Sequence, residues 1–147
     1  MTGVEHRAVD PVPIANQPDE PGVAADCLSD KALALLGGPD DLISPDLLLP
    51  EVGNILWKKA RAGDLTPAMA SERFRALQLM GVALVPSAGI ADRALALALE
   101  TRRTVYDALY LALAEAEGCR FVTADERLVN ALSHSPIAEL AIWLDAI

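Results

Sequence analysis

The chain has 147 residues, 52% of them hydrophobic and only 4% aromatic. It is long enough to bury an aliphatic core as one domain over 1–147, and too apolar for a disordered tail. Its 21 acidic residues outnumber 12 basic ones, for a net charge of -9. That balance excludes a general electrostatic binder of nucleic acid and confines any such contact to a local site. No apolar run reaches the roughly 18 residues of a membrane span, and no basic start leads into an apolar stretch as in a signal peptide. Cys27 and Cys119 make no disulfide framework. A cytoplasmic location without a membrane partner is the expectation.

Residues 1–22 are atypical, because Pro11, Pro13, Pro18 and Pro21 crowd them. Proline removes backbone donors and interrupts helix interiors and central strands. Only 7–10 has the character of a short strand. A short helix is predicted over 29–36, stopped by Gly37-Gly38-Pro39. The apolar stretch 42–49 is interrupted by Ser44-Pro45-Asp46. Asp46 or Ser44 is placed to cap a helix that runs through Glu51 to Ala62 and stops at Gly63. Thr66-Pro67 starts the next helix, which runs to about Met80. A strand is predicted over 82–86 and an Ala/Leu-rich helix over 87–100. Thr104 opens a further helix that ends at Gly118. A strand over 120–123, a short helix over 123–133 and a last strand over 137–144 complete the chain. Strands separated by helices imply a parallel sheet with crossovers, hence a three-layer α/β/α sandwich with a mostly parallel central sheet.

The chain lacks the parts for several chemistries. His6 and His134 are its only histidines, no G-x-G-x-x-G or phosphate-loop motif is present, and no nucleophile elbow occurs. Catalysis by elimination rests on carboxylates, with or without a metal. In a parallel sheet, sites form beyond the carboxyl ends of the strands. Asp10 and Asp125 each follow a predicted strand, while Glu51 and Asp107 sit in first helical turns. Each acid has a plainer structural use. Thr104-x-x-Asp107 and Thr123-x-x-Glu126 both fit a capping box or a close variant, and Glu51 faces its own helix dipole. Gathered together, four carboxylates repel unless a hard cation such as Mg²⁺ or Mn²⁺ joins them.

Three segments resemble a known family. Leu47-Leu48-Leu49-Pro50-Glu51-Val52-Gly53-Asn54-Ile55-Leu56-Trp57-Lys58 is similar to the PIN-domain segment that carries its first glutamate. Thr104-Val105-Tyr106-Asp107-Ala108-Leu109-Tyr110-Leu111-Ala112-Leu113-Ala114 is similar to the family's "YDA" helix, and Phe121-Val122-Thr123-Ala124-Asp125-Glu126-Arg127-Leu128 to its "TAD" strand and helix. Order and separation agree over about residues 40–147, and VapC-type toxins are the nearest subgroup. At the front, the family has an apolar strand, an Asp and then small residues opening a helix. Here Val9-Asp10 is followed by Pro11 and Pro13.

The resemblance implies a metal-dependent endoribonuclease acting as the toxin of a toxin–antitoxin pair. Glu51, Asp107, Asp125 and Asp10 would hold Mg²⁺ or Mn²⁺, with Asp19 or Asp26 as substitutes for Asp10. Asn54 and Thr123 match positions that support the acids by hydrogen bonds. The implied partners are RNA, a cognate antitoxin and a second copy of the chain. Lys58, Lys59 and Arg61 cluster about two turns beyond Glu51, and Arg102 and Arg103 precede Asp107; of these, Lys58, Lys59, Arg102 and Arg103 are the expected phosphate contacts. The proline-rich start motivates the alternative, a catalytically impaired PIN-fold protein that serves as a binding or dimerisation module.

Overall fold

The computed structural model describes residues 41–147, the backbone of residues 6–9, and residues 31, 34, 35, 37 and 38. Five strands form one sheet in the order β3-β2-β1-β4-β5, where β1 is His6–Val9, β2 Asp41–Pro45, β3 Ala83–Val85, β4 Arg120–Thr123 and β5 Ala141–Trp143. Every pairing is parallel. The chain fills one side of β1 with β2 and β3, then crosses back to fill the other side with β4 and β5. The switch point lies between β1 and β4, where a crevice opens at the carboxyl ends. Pairing of Val9 with Val122 brings those two ends side by side.

Alternation along the strands sorts the core onto two faces. Ile43 and Phe121 point into the larger apolar cluster, which includes Ala108 to Ala114, Leu97 and Leu132. Their neighbours Leu42 and Val122 point the other way and meet Leu144, with Leu35 and Val82 packed against them. Helices α1 (Leu48–Ala62), α2 (Pro67–Leu79), α3 (Ala91–Thr101), α4 (Val105–Glu117) and α5 (Glu126–Leu132) connect the strands. This is the expected α/β/α arrangement with a parallel sheet.

Helix α4 is the centre of the larger layer. Its seven consecutive residues Ala108 to Ala114 are all buried, as in a helix enclosed on all sides. Their small Ala side chains let α3 approach through its own buried Ala94, Leu97 and Ala98. Outside the contact, Arg93 donates to both carboxylate oxygens of Glu115, at 2.6 and 2.8 Å. Both ends of α4 are set locally. Thr104 Oγ1 accepts from the Asp107 N–H at 3.1 Å, and Gly118 closes the last turn at φ 61, a left-handed value that suits glycine.

Several sequence expectations need correction. Strand β2 occupies the stretch read as an apolar run with a turn. Ser44 and Pro45 sit inside it, both fully buried, because a strand between two neighbours is enclosed on both faces. Neither Ser44 nor Asp46 caps α1, which has no side-chain cap at Leu47. Asp46 instead accepts from the backbone N–H of Ser87 at 3.0 Å, and from its hydroxyl, so it ties the end of β2 to the turn after β3. The predicted helix over 87–100 is a 3-10 turn, Ser87–Gly89, followed by α3. The last strand shrinks to Ala141–Trp143 behind a 3-10 turn at Ala138–Leu140. Residues 31, 34 and 35 are helical, as expected of 29–36. The proline-rich stretch 10–22 lies outside the described residues. No described helix is long and apolar enough to cross a membrane.

Leu113 is wholly buried within α4. Leu113→Ala is expected to remove about 2–5 kcal/mol of stability, read as a lower urea midpoint at unchanged slope. Arg93→Ala, on the exposed side of the same helix pair, is expected to shift the midpoint far less.

Candidate active site

Glu51 lies in the first turn of α1 and is half-buried. Its Oε2 accepts a hydrogen bond from the Tyr110 hydroxyl at 2.6 Å. Tyr110 is only 2% exposed, and its ring stacks on Phe121 of β4 with centroids 5.4 Å apart. The buried ring therefore aims its hydroxyl from the core into the site. Asp107 stands three residues before Tyr110 on α4, so the two share one helix face. Burial pushes the Glu51 carboxyl above its ordinary pKa; the Tyr110 bond opposes that rise, and the negative charge of Asp107 adds to it. Glu51 and Asp107 are thus brought within electrostatic reach of each other across two helices.

Asp125 follows β4 by two residues. Its N–H donates to Thr123 Oγ1 at 3.0 Å, and its Oδ1 accepts from the Leu128 N–H at 3.1 Å. Asp125 is itself the cap of α5. This corrects the expectation of a capping box between Thr123 and Glu126: the strand reaches Thr123, so the helix begins two residues later than predicted. Thr123 is buried and orients Asp125 through its backbone. Asn54 is exposed, and no hydrogen bond joins it to Glu51, Asp107 or Asp125 among the described residues.

Asp10, Asp19 and Asp26 lie outside the described residues. Among the described residues, no three His, Cys, Asp or Glu side chains converge on one metal position. The donor set nevertheless suits a hard cation in part. Glu51 and Asp107 are oxygen donors whose mutual repulsion such an ion relieves, and a capping carboxylate such as Asp125 keeps a second oxygen.

The cations fall into two groups. Lys58 is exposed and Lys59 half-buried on α1. Arg102 is exposed in a left-handed conformation, φ 57, at the end of α3. The Arg103 Nε is buried without a hydrogen-bond partner among the described residues. Sequence reading gave Tyr110 no role. Its spacing of three from Asp107 was the available signal, but an aromatic inside an apolar helix gives no hint that its hydroxyl meets Glu51.

The PIN domain model matches residues 24–131. The chain belongs to the PIN-domain family. Ribonuclease VapC3 of Pyrobaculum aerophilum is 40% identical over 109 residues, 69% of this chain and 79% of that protein. Exonuclease VapC9 of the same organism is 36% identical over 83 residues, 56% of this chain and 61% of that protein. A crystal structure of PAE2754, also from Pyrobaculum aerophilum, superposes with a TM-score of 0.68 at 25% identity, covering 97% of this chain and 86% of that one. The parallel sheet and its flanking helices are therefore a PIN fold, and the three quoted motifs lie within the matched span.

The raised Glu51 pKa fixes the sign of a stability effect. The folded protein holds the Glu51 proton more tightly than the unfolded chain does. Glu51 costs nothing below about pH 4, where a free glutamate is protonated; the cost grows as pH climbs to the raised folded value and is constant above it. Glu51→Gln keeps an acceptor for Tyr110 and removes the charge. Its melting temperature is expected to match wild type near pH 4 and to exceed it at pH 7. A difference that stays flat between those two conditions would refute the raised pKa that burial gives Glu51.

Proposed function

We propose that this PIN-domain protein is a metal-dependent endoribonuclease and the toxin of a toxin–antitoxin pair. The observation that carries the reading is the Glu51–Asp107 pair, two carboxylates held together against their repulsion by the Tyr110 hydroxyl bond and the first turns of α1 and α4. Burial and a neighbouring carboxylate both work against the Glu51 charge, which is expected of a site selected for binding or chemistry. One relative is named a ribonuclease and another an exonuclease, which supports the nuclease part of this reading.

In this reading Glu51, Asp107 and Asp125 hold Mg²⁺ or Mn²⁺, with Asp10 as a further ligand. When bound, the ion supplies a Lewis acid that activates water and offsets charge developing on a phosphodiester. Tyr110 fixes the direction of Glu51, and Thr123 fixes that of Asp125. Asn54 is left a contact to the substrate rather than to an acid. Arg102, Arg103, Lys58 and Lys59 bind RNA phosphates. Two features of the arginines support this role. Arg102 occupies a backbone conformation that glycine adopts at less cost, and a buried guanidinium N–H at Arg103 has, among the described residues, no hydrogen-bond partner. An antitoxin and a second copy of the chain are the proposed protein partners. Exposed Leu95 and Leu99 on α3, with Leu79 at the end of α2, supply apolar surface for such contacts.

Purified protein is expected to cut total cellular RNA into discrete fragments with Mn²⁺ or Mg²⁺ and to leave it intact with a chelator. Internal cuts in a circular RNA would distinguish endonuclease from exonuclease action. Asp107→Asn is expected to weaken Mn²⁺ binding and cleavage by more than the roughly 10- to 100-fold that loss of a ligand-orienting partner costs; Tyr110→Phe is expected to fall within that range. Intact RNA together with no Mn²⁺ binding would favour the non-catalytic binding module instead. Arg102→Gly offers a separate check. It is expected to leave stability unchanged or raise it by up to about 1 kcal/mol, while lowering RNA affinity and flattening its salt dependence. An unchanged salt slope would remove Arg102 from the RNA path.

A further inference from the structure

Trp57 is 53% exposed on α1. A lone exposed apolar side chain is ordinary, so exposure alone decides nothing. Three further observations do. The Arg61 guanidinium lies over the Trp57 ring, 5.1 Å from its centroid, which holds the ring in one orientation against a cation. The stretch from Val52 to Gly63 carries Lys58, Lys59 and Arg61 and no acidic residue, in a chain whose net charge is -9. The helix geometry then joins this patch to the acids. Leu48 and Leu56 mark the buried side of α1, while Asn54, Trp57, Lys58 and Arg61 are all exposed. At 3.6 residues per turn these four lie within about 120° of Glu51 on one flank, and Trp57 is about 9 Å along the axis from it.

We propose that Trp57, backed by Arg61, is a stacking platform for an unpaired base of the RNA strand whose backbone passes Lys58 towards Glu51. This rests on the nuclease reading above. An aromatic face beside unopposed cations is the combination that grips single-stranded nucleic acid without reading its sequence, because every base has a π-face. On α1, the residues that share the exposed flank with Trp57 are Asn54, Lys58 and Arg61. They favour a polyanion over an apolar protein segment, which would need more than one large apolar contact there.

The chain has two tryptophans, so Trp143→Phe makes Trp57 the sole emitter. Titration of that protein with a short single-stranded RNA, in chelator to prevent cleavage, is expected to quench its fluorescence. Trp57→Ala in the otherwise native chain is expected to weaken RNA binding by between about 5-fold and 100-fold with the salt slope unchanged. Trp57→Phe is expected to retain most of the affinity. In Mn²⁺, Trp57→Ala is expected to raise KM more than it lowers kcat, as remote binding contacts do. Wild-type protein that cleaves RNA while Trp57→Ala binds and cleaves equally well overturns this inference and leaves the nuclease reading intact. Wild-type protein that neither binds nor cleaves RNA overturns both. Unchanged RNA affinity with a lower oligomeric state by sedimentation would make Trp57 a protein contact and overturn the stacking role.

Discussion

The hydrogen bond from the Tyr110 hydroxyl to Glu51 joins the core of this protein to its site. Tyr110 belongs to the one helix that is buried all round, and its ring is clamped against Phe121 of the central sheet. A phenol that cannot move gives a fixed donor, and a fixed donor gives Glu51 a fixed direction. The same helix carries Asp107 three residues earlier, so one packing register places two of the three described acids. Small residues on α4 are part of that precision. Ala108, Ala112 and Ala114 bring α3 and the sheet close, and close-packed interiors leave little room for a helix to shift.

On the proposed nuclease reading, a net charge of -9 sets opposing electrostatic demands. The acids that would hold a cation also repel the substrate, and the rest of the surface repels it too. The chain answers by concentrating its positive groups. On one side of Glu51 the cations of α1 run for two turns without an acid; Arg102 and Arg103 precede the helix that bears Asp107. Arg93 is different. It is engaged with Glu115 and Glu100 on the outside of the α3–α4 pair, where it serves packing and adds nothing to the path of a polyanion. Local charge therefore says more about this protein than its total does.

Much of this architecture is written in local signals. Thr66-Pro67, Thr104, Gly63 and Gly118 mark helix ends whose chemistry depends on adjacent residues alone, and the structure places those ends as expected. Strand β2 escaped because Asp41-Leu42-Ile43-Ser44-Pro45 looks like a broken apolar run; only its position between β1 and β3 makes a strand of it. Asp46 failed as a cap for the same kind of reason, since a partner 41 residues away at Ser87 outcompeted the adjacent helix. The acids at Glu51, Asp107 and Asp125 were recognisable as motifs. The meeting of Glu51 with the Tyr110 hydroxyl was not, because it joins residues 59 apart in sequence on two different helices. The front of the sheet was visible only as a faint strand before the prolines, and β1 at His6–Val9 takes the central place in the sheet.

Local disadvantages gather at the site. Glu51 is partly desolvated beside another carboxylate, Arg102 sits where glycine is cheaper, and the Arg103 Nε is buried without a partner among the described residues. Elsewhere the described chain has an aliphatic core, paired strands and side-chain caps on α2, α4 and α5. Unfavourable arrangements scattered at random would suggest mere tolerance. These lie in the first turn of α1 and in the turn just before α4. Each would be relieved by a ligand of complementary charge, a cation for the carboxylates and a phosphate for the arginines. A phosphodiester bound together with a divalent ion supplies both at once, and that shared remedy is the strongest physical reason to regard the site as one working unit.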